Sequence, residues 1–150
     1  MTDCRSLELK LESTIDSIDA AELIVEGLAR EGGFADEQID TLTMAVRETV
    51  ANAVTHGNKY SGEKCVHFAV RLDSNGLKIK VRDEGDGFDP SGVPDPTDPA
   101  NLLKASGRGL LLMRALVDDV TVKRAKPKGM EVVLIKRGPE ATSEKEEKSQ

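Results

Sequence analysis

The chain has 150 residues, 32% of them charged, with a net charge of −6. That acidity argues against general affinity for nucleic acid or anionic lipid, and no stretch approaches the ~18 apolar residues of a membrane span. Cys4 and Cys65 form no Cys-x-x-Cys and have no spaced histidines, which argues against a zinc site or a disulfide framework.

In chain order, Leu7, Leu9 and Leu11 alternate along 7–11, the period of a half-buried strand. Over 14–31, Ile18, Ala21, Val25 and Leu28 recur at helical spacing, and Gly32-Gly33 ends the helix. Asp36 is placed to cap a second helix over about 37–56, with Ile39, Leu42, Val46, Val50 and Ala53 as its apolar stripe and Gly57 as its stop. Two alternating strands follow, at 64–72 and 77–82. Asp73-Ser74-Asn75-Gly76 joins them with a hairpin signal.

Residues 84–106 lose all periodicity and hold four of the six prolines, the composition of a long functional loop. Ser106 is positioned to cap a third helix at about 108–117, and strands at about 119–125 and 130–136 close the domain. The polar stretch 138–150 reads as a disordered tail behind one domain over 1–137. The order predicts an α+β fold: a two-layer sandwich with a mixed, mostly antiparallel sheet covered by helices on one face. With only Phe34, Tyr60, Phe68 and Phe88 as aromatics, the core is aliphatic. The N-terminus carries Asp3, Arg5 and Glu8 and no apolar signal-peptide core, so a cytoplasmic location is expected.

Several catalytic signatures fail. No Gly-Lys pair exists, which excludes a P-loop, and no His-Glu-x-x-His or Gly-x-Ser-x-Gly occurs. Three polar constellations remain. Glu48, Asn52 and His56 are spaced by four and stack on one helix face. An amide oxygen there suits Mg²⁺ carrying nucleotide phosphates, and a carboxylate suits accepting a proton from an attacking hydroxyl; an ordinary solvated helix flank has the same pattern. Asp83-Glu84-Gly85-Asp86-Gly87 follows a strand directly. It reads either as an acidic turn or as an acceptor for an exocyclic amine, with glycines that admit a flat ligand. An EF-hand loop fails because its twelfth position is Pro94. Ser106-Gly107-Arg108-Gly109-Leu110 opens a helix, which is either a plain junction or a phosphate cradle of backbone N–H groups.

In this order the three resemble the motif boxes of the GHKL (Bergerat-fold) ATPases. Glu48-x-x-x-Asn52 looks like the N box, Asp83-x-Gly85-x-Gly87 the first glycine box, and Gly107-Arg108-Gly109-Leu110 the second, with an ATP lid at about 84–106 between them. The run from Glu48 to Asn58 and the run Gly107–Met113 followed by Leu116-Val117-Asp118 resemble the anti-sigma factor serine/threonine kinases, over about 7–137. The resemblance implies ATP with Mg²⁺, Glu48 as catalytic base and Asn52 as metal ligand. It implies Asp83 on the adenine amino group with Gly85 and Gly87 shaping that wall, and backbone groups of Gly107, Arg108, Gly109 and Leu110 on the phosphates. His56 is expected only to pack or hydrogen-bond near the helix end. The implied substrate is a serine or threonine of a small anti-anti-sigma (STAS-type) protein, the implied second partner a sigma factor, and a homodimer fits the resemblance. The alternative is a nucleotide-responsive binding module that transfers nothing. One departure stands out: at Gly129-Met130 the family has Gly-Thr, and Met130 lacks the hydroxyl that helps fix adenine. One lost hydrogen bond is about 1 kcal/mol, or several-fold in affinity.

Overall fold

The computed structural model describes residues 4–85 and 109–138. Strand β1 (Arg5–Glu12) leads into helices α1 (Ile15–Glu31) and α2 (Asp36–Asn52), then β2 (Cys65–Asp73), β3 (Gly76–Arg82), α3 (Gly109–Leu116), β4 (Asp119–Arg124) and β5 (Met130–Arg137). The sheet order is β1-β2-β3-β5-β4, and the four pairings among the described residues are all antiparallel, where a mixed, mostly antiparallel sheet was expected.

Alternation decides which face is covered. Val66, Phe68, Val70 and Leu72 of β2 and Leu77, Ile79 and Val81 of β3 are buried, while Lys78 and Lys80 face solvent. The covering layer is α1 on β2, α2 on β3 and α3 on β4, with α1 and α3 both packed on α2. Ile18, Ala21, Val25 and Ala29 of α1 and Ile39, Leu42, Val46 and Val50 of α2 complete one aliphatic core. The two-layer sandwich expected from the element order is the observed one.

Local chemistry sets the boundaries. Gly33 adopts φ +80, the left-handed turn that a non-glycine residue resists, so the chain leaves α1 there. Asp36 is the first residue of α2 rather than its cap. Ala35 holds the cap position, and Gln38 Oε1 accepts the Ala35 N–H at 2.9 Å, half of a capping box. Asp36 instead accepts from Arg30 at 3.2 Å. The hairpin pairs Asp73 with Gly76, so its loop is Ser74-Asn75, and Gly76 has φ +131.

The second helix does not run as one α-helix to His56. After Asn52 it widens into a π turn over Ala53–Gly57, where the Asn58 N–H donates to Ala53 C=O at 2.8 Å. Such turns are rare and concentrate at functional sites. The Ser106 cap, most of the 84–106 loop and the tail beyond Gly138 lie outside the described residues.

Candidate functional site

Asp83 is the first residue beyond β3. Its N–H donates to Met130 C=O at 3.0 Å, extending the β3–β5 ladder by one rung. The side chain is buried, with 6% of the residue exposed. Its Oδ1 accepts two backbone N–H groups, from Gly85 at 2.9 Å and Met130 at 3.2 Å. Oδ2 makes no hydrogen bond among the described residues. A buried carboxylate with one oxygen saturated and the other open is an acceptor waiting for a donor. Burial pushes the Asp83 pKa up, against the pull of those two N–H groups and of the Lys64 and Arg82 charges.

Three glycines from three segments make room for it. A methyl group on Gly57, at the end of the π turn, would sit 2.3 Å from Asp83 Cγ and Oδ2. One on Gly85 would sit 2.4 Å from Gly57 C=O. One on Gly129, in the β4–β5 turn at φ +93, would sit 2.0 Å from Asp83 C=O. Motif spacing singled out Gly85 but neither Gly57 nor Gly129 as a site residue. Gly57 lies inside the run from Glu48 to Asn58 and Gly129 directly precedes Met130, yet their contact with Asp83 spans 26 and 46 residues of sequence (83 − 57 and 129 − 83).

Glu48 and Asn52 occupy the last turns of α2. Both are half-buried, and neither side chain has a hydrogen-bond partner among the described residues. Asn52 precedes Gly57 by five residues on the same rod, less than about 8 Å along the axis. The π turn therefore brings Gly57 against the Asp83 carboxylate and places Asn52 within about two turns of it. His56 falls inside the π turn and is exposed, whereas Glu48 and Asn52 are half-buried.

Gly109 and Leu110 form the N-terminal start of α3, which packs on α2. Further along α3, buried Met113 places its sulfur 2.7 Å from the Thr49 hydroxyl, so α3 is held beside the residue that follows Glu48. Gly87, Gly107 and Arg108 lie outside the described residues. Beside Asp83, Glu84 takes a 2.6 Å contact from His67 Nε2. Its slight burial pushes its pKa up, but the His67 hydrogen bond, the Cys65 backbone and the charges of His67 and Lys128 outweigh this and hold it low.

For Mg²⁺ the donor set fits. The Asn52 amide oxygen, without a hydrogen-bond partner among the described residues, suits an ion that keeps several waters and takes its other ligands from substrate phosphates, and it leaves the Glu48 carboxylate free to accept a proton. Among the described residues no cluster of three His, Cys, Asp or Glu side chains is placed to hold a metal alone, and no helix is long and apolar enough to cross a membrane.

Comparison with known proteins places the chain in a family. Residues 11–136 match the histidine kinase-like ATPase domain family. The chain is 32% identical over 130 residues to the serine-protein kinase RsbW of Oceanobacillus iheyensis, covering 81% of each. It is 31% identical to that of Listeria monocytogenes, over 95% of this chain and 94% of the relative. The Bacillus subtilis serine-protein kinase RsbW is 33% identical over 78% and 77%. A crystal structure of the RsbU and RsbW domains of a Mycobacterium tuberculosis protein superposes with a TM-score of 0.65 at 21% identity, over 89% of this chain and 32% of that longer one. At that identity the superposition speaks for the fold.

Proposed function

The chain belongs to the histidine kinase-like ATPase domain family and, within it, to the RsbW serine-protein kinases, and from that premise we propose an ATP-dependent serine/threonine protein kinase that is also an anti-sigma regulatory factor. Its substrate is a serine or threonine of a small STAS-type anti-anti-sigma protein in the cytoplasm. A sigma factor is the partner it sequesters, and it works as a homodimer. The observation that carries the nucleotide reading is the open Oδ2 of Asp83, set in a glycine-lined notch at the foot of the Glu48–Asn52 face.

In this reading Asp83 Oδ2 accepts a hydrogen bond from the exocyclic amine of adenine, and Gly85 and Gly87 form the wall the ring lies on. Backbone groups of Gly107, Arg108, Gly109 and Leu110 hold the phosphates at the start of α3. Asn52 Oδ1 is the ligand for Mg²⁺, which when bound offsets charge on the phosphate oxygens. Glu48 accepts the proton of the incoming hydroxyl as its oxygen bonds to the γ-phosphorus. The bond from that phosphorus to the bridging oxygen breaks in line, and ADP leaves. His56 has no part in this.

The test is transfer of label from [γ-³²P]ATP to each purified STAS-type protein of the same genome. Wild type labels one of them on serine or threonine. Glu48→Gln loses at least about a hundredfold in rate, the low end of general-base contributions, while still capturing that partner. Met130, where the resemblance leads one to expect Thr, favours a second reading, a nucleotide-responsive module without transfer. That reading gains if wild type binds such a partner and never labels it.

A further inference from the structure

Beyond the nucleotide-contacting groups, one buried amide ties the site to the rest of the fold. Asn58 is 1% exposed. Its Nδ2 donates to Ser13 Oγ at 2.9 Å and to Cys65 C=O at 3.0 Å, and its Oδ1 accepts the Glu84 N–H at 2.7 Å. Ser13 Oγ in turn donates to Lys64 C=O at 2.6 Å. Two acceptors on one side and a donor on the other fix which way the amide points. One side chain thus joins the β1–α1 junction, the start of β2, the end of the π turn and the segment just beyond β3.

The Glu84 N–H belongs to the same planar peptide unit as the Asp83 C=O. Asn58 holds the N–H of that unit, while Gly129 lies so close to its C=O that a side chain there would overlap it. This peptide carries the Asp83 side chain at one end. One residue beyond its other end is Gly85, whose N–H fixes Asp83 Oδ1. We infer that Asn58 is a positioning residue for nucleobase recognition: by holding the Glu84 N–H it aims the open Asp83 oxygen at an amino group on a bound purine. This rests on the reading of Asp83 as the adenine acceptor. Asn58 touches no nucleotide itself.

A merely structural asparagine would alter stability and scale the affinity of all nucleotides together. A positioning one alters discrimination at the amino group. The experiment is calorimetric titration with ATP and with purine riboside 5′-triphosphate, which lacks that amino group, alongside thermal melting. Wild type prefers ATP by about tenfold or more, the size of one hydrogen bond to a charged group. In Asn58→Ala the preference shrinks to about threefold or less. Asn58→Asp keeps an oxygen for the Glu84 N–H but presents no donor to Cys65 C=O, so it melts lower yet keeps the preference. Ser13→Ala, which trims the opposite anchor, does likewise.

Retention of the full preference in folded Asn58→Ala overturns the inference, as does its equal loss in Asn58→Ala and Asn58→Asp. Equal affinity of wild type for the two nucleotides overturns the reading of Asp83 itself, and the inference with it. If Asn58→Ala does not fold, hydrogen exchange of the Glu84 amide in wild type decides. At matched saturation ATP slows it more than purine riboside triphosphate does, because coupling is reciprocal; equal slowing contradicts the inference.

Discussion

Gly57 lies against the carboxylate of Asp83, so close that a methyl group on Gly57 would overlap Oδ2 and Cγ at 2.3 Å and Cβ at 2.7 Å. The overlap reaches the root of the Asp83 side chain, so rotating the carboxylate away does not relieve it. The glycine is required by contact and not by backbone angle, since its φ is not in the left-handed region.

Gly57→Ala therefore pushes Asp83 out of its notch. Overpacking of this kind costs about 1–3 kcal/mol, which for a chain of this size lowers Tm by several degrees. ATP affinity falls at least about tenfold, because Oδ2 no longer stands where the amine arrives. Calorimetry and thermal melting on one preparation check both. An alanine variant with unchanged ATP affinity would contradict the placement of Asp83.

The pH dependence separates two neighbouring carboxylates. Burial raises the Asp83 pKa, so the folded chain binds that proton more tightly than the unfolded chain does. Stability therefore falls as pH rises from the ordinary carboxylate value of about 3.9 through the raised folded value, and the cost is fully present above it. Glu84 has the opposite sign: its lowered pKa contributes stability above its ordinary value of about 4.3, lost as pH falls through the folded value. Asp83→Asn is accordingly at least as stable as wild type at pH 7, since an amide oxygen still accepts from Gly85 and Met130. It nevertheless binds ATP more weakly, because an amide N–H₂ can meet the adenine amine donor to donor. The ratio of wild-type to variant affinity, which cancels titration of the nucleotide itself, falls toward one as pH falls through the raised Asp83 value. A variant that melts more than about 5 °C below wild type at pH 7 would contradict a desolvated charge at this site.

Met130 already contributes its backbone to the site. Its N–H reaches Asp83 Oδ1 and its C=O accepts from the Asp83 N–H. A hydroxyl on that residue would stand beside the carboxylate with no change in the ladder. Met130→Thr is expected to tighten ATP binding by about three- to tenfold, one hydrogen bond's worth, read by titration. Unchanged or weaker binding would show that the methionine is not a loss.

The elements were legible in sequence because their signals are local. Leu77, Ile79 and Val81 alternate, Ile39, Leu42, Val46 and Val50 recur at helical spacing, and glycine at 33 and 76 marks where the chain turns. Asp83, Glu48 and Asn52 were legible as candidates because each carries polar chemistry at the end of an apolar pattern. The π turn was not: Ala53, Val54, Thr55 and His56 suit an α-helix equally, so the widening has no local signature. The contacts of Gly57, Gly129 and Asn58 with the Asp83 segment were also hidden. They join the end of the π turn, the β4–β5 turn and the segment just beyond β3, and only the folded sheet order brings these together.

The proposed nucleotide site is assembled from the end of α2 and the residue beyond β3. Its most direct measurement is calorimetric titration of ATP, with and without Mg²⁺, into wild type, Asn52→Ala and Asp83→Asn. Wild type is expected to bind ATP more tightly with Mg²⁺, Asn52→Ala to lose that strengthening, and Asp83→Asn to bind more weakly with or without Mg²⁺. Absence of binding to wild type at millimolar ATP, or equal binding by all three proteins, would contradict it.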